Sequence, residues 1–185
     1  MLYGVSMGLM YRAALGLDPW DVFHQGLARH LGLSIGTVVV VTGAIVLLFW
    51  IPLRQRPGVG TVGNVLVLGV AMDGTLALLP AQHALAVRIP LLVGGIVLNG
   101  LATGLYIGAR FGPGPRDGLM TGLHRRVGGS LRLIRTGIEL AVLVAGVLLG
   151  GQAGVGTVGY ALAIGPLAQF FLRWCTVPNT GARNE

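Results

Sequence analysis

Two copies of the hexapeptide GVGTVG, at residues 58–63 and 154–159, carry the glycine spacing of a dinucleotide-binding turn. Such a site places its glycines between a buried strand and a helix, and an acidic residue about 20 positions later holds the ribose. Here the apolar run before the first copy is too long for a strand, and no acidic residue lies about 20 positions after either copy. We therefore interpret these glycines as the starts of transmembrane helices, whose thin surfaces allow other helices to pack closely.

Five polar side chains interrupt the long apolar segments and are the candidate ligands for a substrate or ion, because polar groups are costly in hydrocarbon. For the three amides, the alternative is hydrogen bonding between helices. For Glu139, the alternative is an ion pair with Arg135, one helical turn earlier. Asp73 has no basic residue within a turn. The five candidates are Asn64, Asp73, Asn99, Glu139 and Gln169.

The sequence contains no recognisable catalytic or metal-binding set. No Ser/His/Asp or Cys/His pairing and no pair of carboxylates at catalytic spacing is visible, so we predict that the protein is not an enzyme and has no cofactor. His24, His30 and His124 lack partners at metal-ligand spacing, which predicts no metal site. The lone Cys175 excludes an intrachain disulfide and is interpreted as an idle thiol.

Composition indicates an integral membrane protein. Of the 185 residues, 54% are hydrophobic and only 10% are charged, and the mean hydropathy is +0.78. A helix that crosses about 30 Å of hydrocarbon needs about 20 mostly apolar residues. Six candidate spans fill most of the chain, which we interpret as one membrane domain, 1–185, embedded in the lipid bilayer. These spans lie near 1–17, 34–53, 59–79, 89–109, 133–150 and 155–173.

The chain contains an internal repeat, whose two copies lie at about residues 1–80 and 89–175. The two GVGTVG copies are 96 residues apart, and the same shift aligns Pro19 and Asp21 with Pro115 and Asp117. About a third of residues 1–69 are identical to their partners, more than shared composition explains. Gln169 takes the position that Asp73 has in the first half.

An odd number of spans in each repeat predicts inverted topology. The second half must enter the membrane from the opposite side, which gives two three-helix repeats related by an axis in the membrane plane. All basic residues other than histidine are arginines, and a cytoplasmic N-terminus places only Arg12, Arg29 and Arg88 outside. Both termini are therefore predicted to be cytoplasmic. The net charge of +7 follows from this topology and gives no basis for nucleic-acid binding.

A short amphipathic helix is predicted between the first two spans of each repeat. In DPWDVFHQGLARHLG, Asp18 is suited to the N-cap, Pro19 to the first helical position and Gly32 to the end. About 13 residues are too few to span a bilayer. The second copy, GPRDGLMTGLHRRVG, keeps the Pro, the Asp and the closing Gly.

The faces and acidic residues of these short helices leave two roles open. In the first copy, one face is apolar and the opposite face carries Asp21, Gln25 and Arg29. Such a helix lies either at the membrane interface or re-enters the bilayer. Asp21 and Asp117 are predicted to stabilise the helix N-termini, and the alternative is that they contact a substrate on a helix that dips into the membrane.

The blocks DPWDVFHQGLARHLGLSIGT, IPLRQRPGVGT and LLGGQAGVGTVGYALAIGP resemble the YczE-type bacterial membrane proteins, and more distantly the YitT type. The resemblance covers nearly the whole chain. It implies a location in the bacterial inner membrane and a duplicated six-helix unit. It implies no particular substrate or catalytic residue.

The fold class expected is thus an all-α membrane protein with six transmembrane helices in two inverted repeats. Inverted repeats with polar residues near their interface favour a small secondary transporter or permease of unknown small-molecule substrate. In that reading, Asp73 and Glu139 come from the two halves to form one site. The alternative is a non-transporting regulatory or assembly protein that binds other membrane components through Gly-rich helix faces, which could also form a homo-oligomer.

Overall fold

The computed structural model describes residues 1–109 and 112–175, and this part of the chain is helical, with no strand. The predicted cytoplasmic positions of Arg110, Arg183 and the C-terminus fall outside the described residues. The helices are α1 (Leu2–Ala13), α2 (Pro19–Leu31), α3 (Ile35–Leu48), α4 (Val59–Leu78), α5 (Leu85–Ala109), α6 (Pro115–Val127), α7 (Leu131–Leu148) and α8 (Val155–Cys175).

Three of the described helices, α4, α5 and α8, are long and apolar enough to cross a membrane. A fourth span results if α2 and α3, which meet at a bend of 112°, are counted as one broken segment. α1 and α3 have only 12 and 14 residues. The all-helical membrane class is therefore supported, while the count of six spans in inverted repeats stays a prediction.

The ends of the short helices were predicted correctly. The Asp18 carboxylate accepts a hydrogen bond of 2.9 Å from the Asp21 N–H, and Pro19 is the first residue of α2. Gly32, which ends α2, has φ of +65°, a left-handed conformation that glycine adopts without steric penalty. α6 likewise begins at Pro115 and ends before Gly128.

Both GVGTVG copies start helices, as the composition and context predicted. α4 begins at Val59 and α8 at Val155, directly after Gly58 and Gly154. The N–H of each of these glycines donates to the hydroxyl of the threonine three residues later. Threonine side chains of the chain itself thus accept hydrogen bonds from the N–H groups at these helix starts. The strand that a dinucleotide-binding turn needs is absent from the described part.

The helices pack around α1 and α5, which contact each other at the centre. α4 packs on α1 and α8 packs on α5. α2 lies against α7, α3 lies against α4, and α6 contacts both α3 and α7. Large apolar side chains on the outer face of α4, such as Val62, Leu66 and Val70, are exposed, which suits a helix that faces lipid.

The first two turns of the polar face of α2 are buried, while Arg29 near the end of the helix is exposed. Asp21 and Gln25 are 0% and 3% exposed, whereas the apolar Leu31 is 55% exposed. The Gln25 Oε1 atom accepts a hydrogen bond of 2.6 Å from the N–H of Gln152, just after α7. α2 therefore presents Asp21 and Gln25 to the protein interior, because it docks on α7.

Candidate functional site

A cavity of about 490 Å³ lies among the helices, and residues from every described helix line it. The starts of the two short helices reach it: Trp20 and His24 come from α2, and Pro115, Arg116 and Asp117 come from α6. Ligand sites in proteins are typically concave, mainly apolar spaces of about 300–1,000 Å³ with a few polar groups. This cavity has that size and that mixture of residues.

Arg116 joins the start of α6 to the start of α2. Its Nη1 and Nη2 atoms lie 3.9 Å from Asp18 Oδ1 and from Asp21 Oδ1, respectively. Its Cζ atom lies 4.8 Å from the centroid of the Trp20 ring, within the range of a cation–π contact. Both aspartates are almost fully buried, while the Arg116 side chain is 24% exposed. One guanidinium thus holds two buried carboxylates and an aromatic ring together at the cavity.

Several buried polar atoms of this cluster have no hydrogen-bond partner among the described residues. Asp18 and Asp21 each leave Oδ2 unpaired, and Trp20 leaves its Nε1–H unpaired. Asp21 Oδ1 accepts a hydrogen bond of 3.2 Å from His24 Nδ1. An N–O separation of 3.9 Å is too long for a hydrogen bond, so Arg116 attracts the carboxylates without completing their hydrogen bonding. Buried polar groups without partners are rare in folded proteins, which makes this cluster a candidate binding site.

The amides predicted from the sequence have different surroundings. Asn64 lines the cavity and forms no hydrogen bond with any described residue. Asn99 is fully buried; its Nδ2 donates to Ser6 Oγ at 2.9 Å and its Oδ1 accepts from the Tyr160 hydroxyl at 3.2 Å. Asn99 therefore connects α1, α5 and α8, as the hydrogen-bonding alternative predicted. Gln169 is exposed.

The structure does not bring Asp73 and Glu139 together. Asp73 accepts hydrogen bonds from Ser34 Oγ at 2.6 Å and from the Gly36 N–H at 2.8 Å, so it joins α4 to the start of α3. Glu139 accepts from Arg135 Nε at 3.0 Å, the ion pair that was the alternative. Arg135 lines the 490 Å³ cavity, whereas Asp73 lies beside a second, more open cavity. A single site shared by the two carboxylates thus has no support in the geometry.

Replacing Asp73 with alanine should lower the free energy of unfolding by about 1–2 kcal/mol, because the start of α3 loses its acceptor. Thermal unfolding in detergent measures the change. The control is Gln169→Ala at the corresponding repeat position, which is exposed and should change stability by no more than about 0.5 kcal/mol. Equal stability of the two variants would show that the Asp73 hydrogen bonds do not hold α3.

The two acidic residues of the short helices lie where the sequence predicted, at the first turns of α2 and α6. Asp117 lines the cavity, and Asp21 lies behind Arg116. Neither Arg116 nor Trp20 was predicted from the sequence as a site residue. One signal was available: a cation in the first turn of a helix opposes the helix dipole and therefore calls for an explanation.

The described residues contain no group of three or more His, Cys, Asp or Glu side chains that could hold a metal ion.

A helical fold with long, lipid-facing apolar helices and a buried polar centre defines a membrane protein. The chain is 35% identical over 173 residues to the "Uncharacterized membrane protein YczE" of Bacillus subtilis, which covers 93% of this chain and 80% of that relative. It is 39% identical over 171 residues to an "Uncharacterized protein" of Haemophilus influenzae, covering 92% of this chain and 78% of the relative.

The family model DUF6198, described as a family of unknown function, matches residues 1–173. The protein therefore belongs to this family, and the resemblance to YczE-type membrane proteins is confirmed. A second Bacillus subtilis relative, the "Uncharacterized protein YyaS", is 24% identical over 176 residues, covering 93% of this chain and 88% of the relative. No solved structure matches the chain.

Proposed function

We propose that this protein is a small secondary transporter or permease of the bacterial inner membrane, in which two inverted halves enclose the substrate cavity. The observation that carries the proposal is the 490 Å³ cavity, which receives the starts of both short helices, α2 and α6. Transporters built from inverted repeats place their substrate sites at the repeat interface, often at helix N-termini that end inside the membrane. We also propose that the protein is not an enzyme.

Pairs of contacts related by the 96-residue shift support the two-half architecture. A Cβ atom added at Gly4 would lie 2.8 Å from the Ala71 Cβ, and one at Gly100 would lie 2.7 Å from the Leu167 Cβ. Each residue of the second pair is 96 positions after its counterpart in the first. The packing of α1 on α4 is thus repeated in the packing of α5 on α8.

Contacts between the halves follow the same relation. A Cβ atom added at Gly26 of α2 would lie 2.7 Å from Leu149 Cβ, just after α7. One added at Gly122 of α6 would lie 3.1 Å from Leu53 Cβ, just after α3. In the first contact the short helix comes from the first half and its partner from the second, and in the second contact these roles are reversed. A twofold axis between the halves requires this relation. Trp20 and Arg116 are also 96 positions apart and contact each other, which suits residues next to such an axis.

The proposed topology predicts opposite exposure for the two short helices. In a Cys175→Ser background, single cysteines at Arg29 and at Arg125 should react with membrane-impermeant thiol reagents from opposite sides, Arg29 from outside and Arg125 from the cytoplasm. Both positions are exposed, so neither should be protected by packing. Labelling of both cysteines from the same side would contradict inverted repeats and the cytoplasmic termini.

Transport itself is tested by reconstituting the purified protein in liposomes and screening metabolite pools for protein-dependent uptake. The proposal predicts saturable uptake of at least one solute class above that of protein-free liposomes. The variant Asn64→Trp should reduce this uptake strongly, because Asn64 lines the cavity and a tryptophan side chain there should fill it. Absence of uptake for every pool, or uptake that Asn64→Trp leaves unchanged, would count against a transporter built on this cavity.

The second candidate function is a non-transporting regulatory or assembly protein. One observation favours it: Gly63 and Gly74 on α4, and Gly159 and Gly165 on α8, have open space where a Cβ atom would lie. Glycines with open space beside them allow another transmembrane helix to approach closely, which also suits a homo-oligomer. Copurification of a stable partner, combined with no uptake in liposomes, would favour this candidate.

A further inference from the structure

We propose that the cavity binds an organic monocarboxylate with an apolar body, and that Arg116 and the Trp20 Nε1–H bind its carboxylate. This inference rests on the proposed transport function, since it names the substrate class of the same cavity.

Arg116 has hydrogen-bond donors to spare. Its guanidinium lies 3.9 Å from Asp18 and Asp21, which holds it in place electrostatically, and it makes no hydrogen bond with any described residue. Its side chain is 24% exposed and lines the cavity. A planar guanidinium donates two parallel N–H bonds to a carboxylate, which makes arginine the preferred residue for such anions.

The start of α6 lacks the cap that the start of α2 has. α2 is capped by the Asp18 side chain, whereas the corresponding residue of α6 is Gly114, which has no side chain to accept a hydrogen bond. Gly114 lines the cavity, and the first turn of α6 leaves the Arg116 and Asp117 N–H groups without a partner among the described residues, because Pro115 has no N–H and the Gly118 N–H donates to the Gly114 carbonyl. Free N–H groups at a helix N-terminus favour an anion.

An independent observation points to an acceptor in the ligand. Trp20 is only 7% exposed and lines the cavity, and its Nε1–H, which can only donate, has no partner among the described residues. The Tyr106 hydroxyl, also on the cavity lining, is buried, and neither it nor the Asn64 amide has a hydrogen-bond partner in the described part of the chain. These donors belong to residues that line the cavity, whereas the unpaired Oδ2 atoms of Asp18 and Asp21 do not, and a carboxylate in the cavity supplies acceptor oxygens for the donors.

Among the described residues, the lining of the cavity carries two arginines, Arg116 and Arg135, and one carboxylate, Asp117. Arg135 is already paired with Glu139 at 3.0 Å, which leaves Arg116 as the cation with unused donors. Asp18 and Asp21 offset the charge of Arg116 but do not line the cavity, so the unused donors of Arg116, and not a net positive charge, favour a carboxylate.

The other residues that line the cavity indicate the chemistry of the rest of the ligand, beyond its carboxylate. Apolar side chains such as Val39, Leu68 and Ile164 and the rings of Tyr3 and Tyr160 surround the polar groups. Such walls provide few partners for further polar groups on the ligand. The class that fits is therefore an aryl or alkyl monocarboxylate rather than a sugar or a polyanion.

Calorimetry on the purified full chain in detergent tests this class with three probes of one shape: 3-phenylpropionate, 3-phenylpropanamide and 3-phenylpropylamine. The carboxylate should bind at least about tenfold more tightly than the amide or the amine, because the amide carries no charge and the amine has the wrong sign. Equal affinities, tightest binding of the amine, or no binding of the carboxylate would overturn the proposal.

Variants then assign the binding groups. Trp20→Phe keeps the ring but removes the N–H, and should weaken 3-phenylpropionate binding by about fivefold. Arg116→Gln combined with Asp21→Asn removes one positive and one negative charge, so the net charge of the cluster does not change, and should weaken binding by at least about tenfold. The control Arg132→Gln removes an exposed arginine outside the cavity and should not change binding. Unchanged affinity in both cavity variants, verified as folded, would overturn the assignment.

Binding in detergent separates this inference from the proposed function. Carboxylate binding without uptake in liposomes would support the site and contradict transport. Uptake of a solute of another class, with no carboxylate binding, would support transport and contradict this inference.

Discussion

Replacing Arg116 with glutamine should lower the free energy of unfolding by about 3–5 kcal/mol, the usual effect of removing one partner of a buried ion pair. The variant leaves Asp18 and Asp21, both almost fully buried, without the positive charge that lies 3.9 Å from each. Thermal and chemical unfolding in detergent measure the loss, and expression level gives a second readout.

Two variants show whether charge is the cause. Adding Asp21→Asn to Arg116→Gln removes one buried carboxylate and should restore part of the lost stability. Arg132→Gln removes an exposed arginine and should change stability by no more than about 0.5 kcal/mol. If Arg116→Gln were as stable as Arg132→Gln, the cluster of Arg116 with Asp18 and Asp21 would not exist in the folded protein.

Replacing Gly146 with alanine should lower the free energy of unfolding by about 1–3 kcal/mol, the effect of overpacking a close contact. A Cβ atom at Gly146 of α7 would lie 2.5 Å from the Phe23 backbone nitrogen of α2. Backbone atoms cannot rotate away as a side chain can, so α2 must shift. The contact matters because α2 carries Trp20 and Asp21 to the cavity.

The same helix provides the control. A Cβ atom at Gly137 would have no neighbour within 4 Å, so Gly137→Ala should keep or raise stability, since alanine favours a helix over glycine by about 0.5–1 kcal/mol. Thermal unfolding of the two variants side by side gives the comparison. If Gly146→Ala were as stable as Gly137→Ala, α2 would not dock on α7 as described.

Local features of the fold followed from the sequence. The start of α2 at Pro19 and its end at Gly32 depend on neighbouring residues alone, because capping bonds and left-handed glycines act within a turn. The same holds for the helices that begin after Gly58 and Gly154. Membrane character followed from composition, since the apolar runs were too long for a soluble core.

Contacts between distant segments did not follow from the sequence. Asp73 was a candidate ion ligand because no basic residue lies nearby, but its partners, Ser34 and Gly36, are on another helix. Arg116 was counted only as a topological charge, and its carboxylate partners lie in the other half of the chain. Periodicity gives the face of a helix but not the helix that covers it, so the burial of the first two turns of the polar face of α2 also escaped prediction.

The most direct test of the proposed transport function is whether the cavity opens to each side of the membrane in turn. Asn64→Cys in a Cys175→Ser background places one thiol on the cavity lining. An impermeant thiol reagent should label it both in right-side-out and in inside-out vesicles, while the Cys175→Ser background alone stays unlabelled. Labelling from one side only, or from neither side, would contradict a transporter that alternates access to this cavity.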